Sequence, residues 1–471
     1  MSASQPDLRP LLAPRSIAVI GASAQANKVG GMPIRLLREN GYTGEVFPVH
    51  RSACEIQGLP VFASLDAIGK RVDLAIVAVP AGECEGVVAK MARCGTRAAV
   101  MFTSGFAEVS AEGAKLQDRI GAIAREAGIA LLGPNCLGAM NLHERLFATF
   151  SPVLLGGAPA PGTTALVSQS GAFGGYAFSL ARQAGIGIGH WITTGNEANV
   201  QVADAIAWLA GEPLCERILA YLEGARDRGR LRAALLAARE AGKPVTIAKV
   251  GHTAAGARAA KLHTGSDTGD ASEYAKLFEE CGVRGVRTIA GLFGTKGDTS
   301  PVSPRATRYP HAPRDPGYFP APRPLAIFSI SGGIGIMMAD RAEELSLALP
   351  PLPDDAARRL KDAIPFASTI NPIDVTGQVF SQPAALVRAL RDAATCGIYG
   401  HLAVFLAAAG SAPGVWPLLQ ACIADLRAQP SAAHLVLCGI LTADQKAWLE
   451  SQGCAVHAEP ADAIDAIAQS A

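Results

Sequence analysis

One of the chain's nine histidines, His263, sits where a small apolar run gives way to hydroxyl and acidic residues, in "AAKLHTGSDTG" (259–269). An imidazole in such a stretch is either an ordinary surface or core side chain or a nucleophile, and its neighbours decide which. Glu223 closes the apolar run "ILAYLEG" ahead of a basic loop. A carboxylate at a strand's carboxyl end suits the orienting of a histidine; the plainer reading is an ion pair with Arg226 or Arg228. Two other apolar runs end in small residues that open a helix: Ser168, Gln169, Ser170 and Gly171 in "ALVSQSGAFGGYAFSLARQAG", and Ser331, Gly332 and Gly333 in "IFSISGGIGIMMADRAEE". Amides without partners at a helix start, aided by the macrodipole, favour an anion by about 0.3–1 kcal/mol, and a capped helix with no ligand explains each equally well.

These residues need strands and helices to hold them. Runs rich in Val, Ile, Leu and Ala, such as "SIAVIGA", "VDLAIVAVP", "TTALVSQSG", "KPVTIAKVG", "PLAIFSISGG" and "HLVLCGI", alternate with helix-length stretches. Strands apolar throughout and separated by helices predict parallel sheets covered on both faces. The fold class expected is α/β, with three doubly wound, Rossmann-like or flavodoxin-like domains. A Gly/Pro-rich joint, "SPVLLGGAPAPGTTA" (151–165), and a proline-dense stretch at 294–323 divide the chain into 1–150, 151–293 and 324–471. The second break reads as an interdomain linker.

In the first domain, "SIAVIGASAQANKVGGMPIRLLRENG" reads strand, turn, helix, with Gly21, Ala22 and Ser23 at the turn. It lacks the full dinucleotide glycine fingerprint, yet the carboxyl edge of an open parallel sheet is where such folds bind phosphate-bearing ligands. The second strand ends in His50 and Arg51, where an NAD site would place an acid; a cation there suits a phosphorylated ribose, as in NADP or coenzyme A, or is only a solvated charge. Val79 and Pro80, then Ser104, Gly105 and Phe106, then Pro134, Asn135 and Cys136 end further strands along the same edge. Together they outline a groove.

The net charge of +1 and the absence of dense Lys/Arg blocks argue against nucleic acid or anionic lipid as partners. The N-terminus shows no secretory pattern, and no apolar stretch approaches the roughly 18 residues a membrane span needs, so a cytoplasmic protein is expected. Ten cysteines form no CxxC pair, which predicts neither a zinc site nor a disulfide framework.

Taken in order, "GAS" (21–23), "VDLAIVAVP", "SGF" (104–106), "GPNCLG" (133–138), "SQSGAFGG", "TGNEANV" (194–200), "YLEG", "HTG" (263–265), "SGGIGIMMAD" and "NPIDVTG" (371–377) resemble the NDP-forming acyl-CoA synthetases, the superfamily of succinyl-CoA synthetase and the ADP-forming acetyl-CoA synthetases. The resemblance covers essentially the whole chain outside the proline-rich stretch. It implies coenzyme A in the first domain, phosphorolysis of an acyl-CoA to an acyl phosphate, and transient phosphorylation of His263, with Glu223 orienting the ring and Thr264 and Gly265 beside it. The helix starts at Ser168–Gly171 and at Gly332 and Gly333 would hold the phosphoryl group, and a swinging phosphohistidine loop would hand it to ADP. No ATP-grasp module is visible in the sequence, so ADP or ATP and Mg²⁺ are expected on a separate ATP-grasp subunit of a hetero-oligomer, with a small carboxylic acid and CoA as substrates. Two other readings stay open: a CoA- or acyl-CoA-binding regulatory protein without turnover, and an NADP-dependent oxidoreductase built on the first domain.

Overall fold

The computed structural model describes residues 6–52, 54–154, 156–264, 268–294, 324–377, 382–408, 410, 412 and 414–470; the side chain of Thr264, Gly265, and the proline-rich stretch 295–323 lie outside what is described. The chain divides into two units, residues 1–248 with 269–285 and residues 249–268 with 286–471.

The first unit holds two sheets. One is all parallel, in the order Glu45–Val49, Ser16–Ile20, Leu74–Val77, Ala98–Met101, Ala130–Leu132. Along Ser16–Ile20 the side chains alternate between two cores, Ile17 and Val19 in one and Ala18 and Ile20 in the other. Burial on both faces is why this strand reads as an unbroken apolar run. The other sheet runs Arg284–Val286, Val245–Lys249, Arg217–Leu222, Thr164–Ser168, Ile188–Thr193, Gly138–Asn141, Leu146–Thr149.

That second sheet departs from the expected division in two ways. Its last two strands form an antiparallel hairpin that pairs antiparallel with Ile188–Thr193, so the sheet is mixed rather than purely parallel. The hairpin also carries residues 138–149, expected in the first domain, into the second sheet; the first sheet closes at Leu132. Thr193 fixes the crossing, its hydroxyl oxygen accepting from the amides of Leu137 (3.0 Å) and Gly138 (2.9 Å). One apolar cluster runs through both sheets, from Leu8 and Ile17 through Ala139 and Leu146 to Val167 and Ile192.

The second unit is built on a parallel sheet ordered Ile373–Asp374, Leu325–Ser329, His401–Ala407, His434–Gly439, Ala455–His457. Its first strand in sequence lies second in space, as in the first sheet. The reversal of winding beside Leu325–Ser329 creates the crevice at which open α/β sheets bind ligands. Helix Gly332–Glu344 springs from this strand. Its residues Gly332 to Ala342 are buried but for Arg341, which explains the dense run of small and apolar residues in "GGIGIMMADRA".

Candidate functional site

At the first sheet's carboxyl edge, Gly21 has φ +83°, and a Cβ there would stand 2.4 Å from the Ala78 carbonyl oxygen, so the turn admits only glycine. The amides of Gly21 and Ala22 donate to the Val49 carbonyl, and the Ser23 hydroxyl oxygen accepts from the Gln25 amide at 3.2 Å. Val79 and Pro80 lead into helix Ala81–Arg93, and the Thr103 hydroxyl donates to the Val79 carbonyl at 2.7 Å. Arg51, well exposed, forms an ion pair with Glu83 in the first turn of that helix at 3.0 Å. Ser104 is half-buried, and the amides of Gly105 and Phe106 donate to the Glu108 carboxylate at 2.6 and 3.2 Å. Phe106 and Cys136 have core side chains. Burial pushes the Cys136 thiol up to about 12, which makes it a structural group and no nucleophile.

A buried polar network joins this edge to the second sheet. The Asn135 side-chain amide donates to Asn196 Oδ1 at 3.1 Å, and Asn196 Nδ2 donates to Glu108 (2.5 Å) and Gln117 (2.9 Å). Of the two arginines expected near Glu223, Arg226 donates to the Asn196 carbonyl at 2.9 Å and Arg228 pairs with Glu273. Glu223 is 1% exposed and accepts from the Tyr221 hydroxyl at 3.4 Å. Gln169 binds its backbone, Oε1 accepting from the Glu223 amide at 2.6 Å and Nε2 donating to the Gly224 carbonyl at 2.7 Å. Ser168 Oγ donates to the Ser170 carbonyl at 2.6 Å, and Ser170 caps helix Gly171–Gln183 by accepting from the Phe173 amide. Beside Gln169 lies Glu197, 4% exposed, which accepts from the Thr194 hydroxyl and the Val202 amide. Burial raises its carboxyl to about 7 against those bonds.

In the second unit, Ser329 Oγ donates to the Ser331 carbonyl at 2.7 Å and Ser331 caps helix Gly332–Glu344. These two bonds repeat those made by Ser168 and Ser170. His263, near the end of helix Ala254–Thr264, lies on that start: a Cβ on Gly332 would fall 2.0 Å from its Nδ1. The same nitrogen is 3.1 Å from Oδ2 of Asp374, the last residue of strand Ile373–Asp374, which pairs with Ser329. A histidine, a carboxylate and a glycine-opened helix start thus meet at the switch point of one sheet.

Residues 15–141 match the CoA binding domain family and residues 161–296 the succinyl-CoA ligase-like flavodoxin domain family. The chain is 32% identical over 392 residues to the alpha subunit of acetate–CoA ligase [ADP-forming] I of Pyrococcus furiosus, covering 82% of this chain and 80% of that subunit. It belongs to the NDP-forming acyl-CoA synthetase family. Acetate–CoA ligase [ADP-forming] I of Archaeoglobus fulgidus is 34% identical over 374 residues, which are 79% of this chain and 51% of that protein, so the chain spans about half of that relative's length. Among solved structures, a Ca. Korarchaeum cryptofilum acetyl-coenzyme A synthetase 1 in complex with phosphate and ADP aligns with TM-score 0.56 at 27% identity, covering 98% of this chain and 96% of that one.

As a member of that family, the chain places the sequence-read residues in three groups. Gly21, Ala22, Ser23, Val79, Pro80, Ser104, Gly105 and Asn135 share one sheet edge, and Ser168, Gln169, Ser170, Gly171 and Glu223 share another. His263, Gly332 and Gly333 share the third, where Asp374 joins them. Sequence reasoning missed Asp374 and Glu197 as site residues, although both stand inside the motifs "NPIDVTG" and "TGNEANV". An acid locked between apolar or small residues in a strand-end motif was the available signal.

Proposed function

We propose that this chain binds coenzyme A and carries the phosphoryl group in an ADP-forming acid–CoA ligase, interconverting acyl-CoA, ADP and phosphate with acid, CoA and ATP. The observation that carries the reading is the seating of His263 on the start of helix Gly332–Glu344 with its Nδ1 3.1 Å from Asp374. Phosphate attacks the thioester carbonyl, the C–S bond breaks, and CoA leaves as the thiol after taking up a proton. A proton held on Nδ1 by Asp374 makes Nε2 the nucleophilic nitrogen of His263. Nε2 forms a bond to the phosphorus of the acyl phosphate as the P–O bond to the acyl group breaks, and the acid departs as carboxylate. The terminal oxygen of ADP then takes the phosphoryl group and the N–P bond breaks.

Coenzyme A is assigned to the edge that carries Gly21, Ala22, Ser23, Arg51, Val79, Pro80, Ser104, Gly105, Phe106, Asn135 and Cys136, in keeping with the CoA binding domain matched over residues 15–141. Glu223 is the second carboxylate assigned to the chemistry, and the amides at Ser168–Gly171 and at Gly332 and Gly333 hold phosphoryl oxygens. The nucleotide and Mg²⁺ belong to a separate ATP-grasp subunit, the two acting as a hetero-oligomer in the cytoplasm; relatives named as alpha subunits support a partner. Incubation with labelled phosphate and a panel of short-chain, dicarboxylic and aromatic acyl-CoAs should leave an acid-labile, base-stable label on the chain. His263→Asn should abolish the label and keep CoA binding. Normal labelling of that variant would end the phosphohistidine reading.

A further inference from the structure

The helix that carries His263 is held at both ends by one other helix. At and just before its start, Gly251, His252, Thr253 and Ala255 each bond to the last turns of Gly332–Glu344. Asp340, 2% exposed, accepts from the amides of Gly251 (2.6 Å) and Thr253 (3.0 Å) and from the Thr253 hydroxyl (2.7 Å). The Ala255 amide donates to Glu343 at 2.5 Å, and Thr253 in turn caps the helix by accepting from the Gly256 amide at 3.1 Å. A Cβ on Gly256 would fall 2.0 Å from Asp340 Oδ1, so only glycine allows this approach. At the other end His263 meets Gly332. Eight residues from Gly332 to Asp340 span about 12 Å of helix and seven from Gly256 to His263 about 10.5 Å, so the two antiparallel helices match in length between their contacts.

His252 stands at the start of this grip. Its Nδ1 is 3.1 Å from Asp340 Oδ2 and its Nε2 is 2.9 Å from Glu344 Oε1. Both ring nitrogens face carboxylate oxygens, and only the imidazolium donates from both. A neutral ring turns one lone pair toward a carboxylate, which converts an attraction into a repulsion. We propose that Asp340 and His252 are positioning residues for His263: Asp340 anchors the start of its helix, and the charge state of His252 sets how firmly that start is held. The role of His263 rests on the proposed function, whereas the grip on its helix does not.

Asp340 and Glu344 meet the His252 ring directly; around them stand Arg287, which reaches Glu344 at 2.5 Å, Glu343, which takes the Ala255 amide, and Arg341, which pairs with Glu344 and with Asp465 on helix Pro460–Ser470. Its own segment adds Lys249, Arg258 and Lys261. Burial works against a charge on His252, and the hydrogen bond and attraction to Asp340, followed by the bond to Glu344, outweigh it and raise its titration above the ordinary value. A histidine raised in the folded state stabilises below its unfolded value near 6.5 and loses that stabilisation as pH climbs through the raised one. The grip is therefore firm in mild acid and slack in base.

Amide hydrogen exchange on the full chain tests this, read in peptides covering 251–264 at about pH 6 and about pH 9, each rate corrected for intrinsic exchange. Wild type should lose about tenfold in protection across that range, the size of one lost charge-assisted bond. His252→Gln should be weakly protected at both values, and His252→Arg, a permanent cation with several donors, should stay protected at both. Flat wild-type protection, or a slope retained in His252→Gln, overturns the proposal. If the slope follows His252 while no label ever reaches His263, the phosphohistidine reading fails and the positioning of the helix stands.

Discussion

Among single residues, Gly332 and Asp374 set the seat of His263. Gly332→Ala puts a methyl 2.0 Å from the ring nitrogen, so the imidazole must leave its seat. The first turn of a helix tolerates alanine, which is favoured there over glycine by up to about 1 kcal/mol. The variant should melt within a few degrees of wild type and lose at least about tenfold in phosphate labelling. Equal labelling would mean that the ring does not need this seat. Asp374→Asn keeps the hydrogen-bonding shape but removes the charge that supports an imidazolium, and should slow labelling by about 10² to 10⁴, the usual worth of a positioned acid–base group. His263 was legible only through the resemblance that "HTG" carries together with the other motifs. Asp374 was not, because it reaches the ring through the pairing of strand Ile373–Asp374 with Leu325–Ser329, a relation between distant segments that no local pattern encodes. Glu223 was read correctly as a strand-end carboxylate, and its burial beneath Tyr221 and Gln169 was not foreseeable from the basic loop that follows it.

Among the elements, the central parallel strands, such as Ser16–Ile20 and Thr164–Ser168, were readable because burial on both faces makes them apolar runs, and the Ser-Gly helix starts because small residues follow those runs. The hairpin Gly138–Asn141 with Leu146–Thr149 was not read. Its turn is "LHER", and the residue that takes the left-handed conformation is Arg145 at φ +50°, where hairpin signatures look for Gly or Asn. The strand the hairpin joins carries a buried liability. His190 is 1% exposed, pairs opposite Asn141, and packs its ring against His143 and Trp208. Both ring nitrogens are buried with no hydrogen-bond partner among the described residues. Burial, helped by His143, pushes its titration down to about 4. The unfolded chain then binds one more proton than the folded chain between about pH 6.5 and 4, so stability is full above that window and falls as pH drops through it. About 3 kcal/mol is at stake across the window. His190→Phe, of similar ring size, should flatten the acid limb of a denaturant-midpoint profile, and an unaltered limb would place the acid sensitivity elsewhere.

For the molecule as a whole, the repeated doubly wound plan means that function is decided by which sheet edges carry ligands, and the coenzyme is the ligand whose place can be tested without any partner. If CoA binds along the Gly21, Val79 and Ser104 edge, it must meet amides that are already engaged, since Glu108 accepts from those of Gly105 and Phe106 and Val49 from those of Gly21 and Ala22. A phosphate at the Ser104–Phe106 turn would have to displace the Glu108 carboxylate, so Glu108→Gln, neutral and equally long, should bind CoA more tightly, by roughly fivefold for the removal of one like charge near an anion. Ligand that binds only the folded chain stabilises it by about 2.7 kcal/mol at a hundred times its dissociation constant, so CoA should raise the melting temperature of the full chain while NADPH at the same concentration should not. The protection from hydrogen exchange that accompanies this should fall on residues 21–31, 79–84 and 103–108. Arg51→Glu should weaken CoA more than dephospho-CoA, because only the former brings a ribose phosphate to a cation, and this requires Arg51 to exchange its exposed pairing with Glu83, an interaction of well under about 1 kcal/mol, for a phosphate. Equal shifts with CoA and NADPH, or protection confined to the second unit, would move the coenzyme off this edge and with it the order in which thioester, phosphate and histidine are brought together.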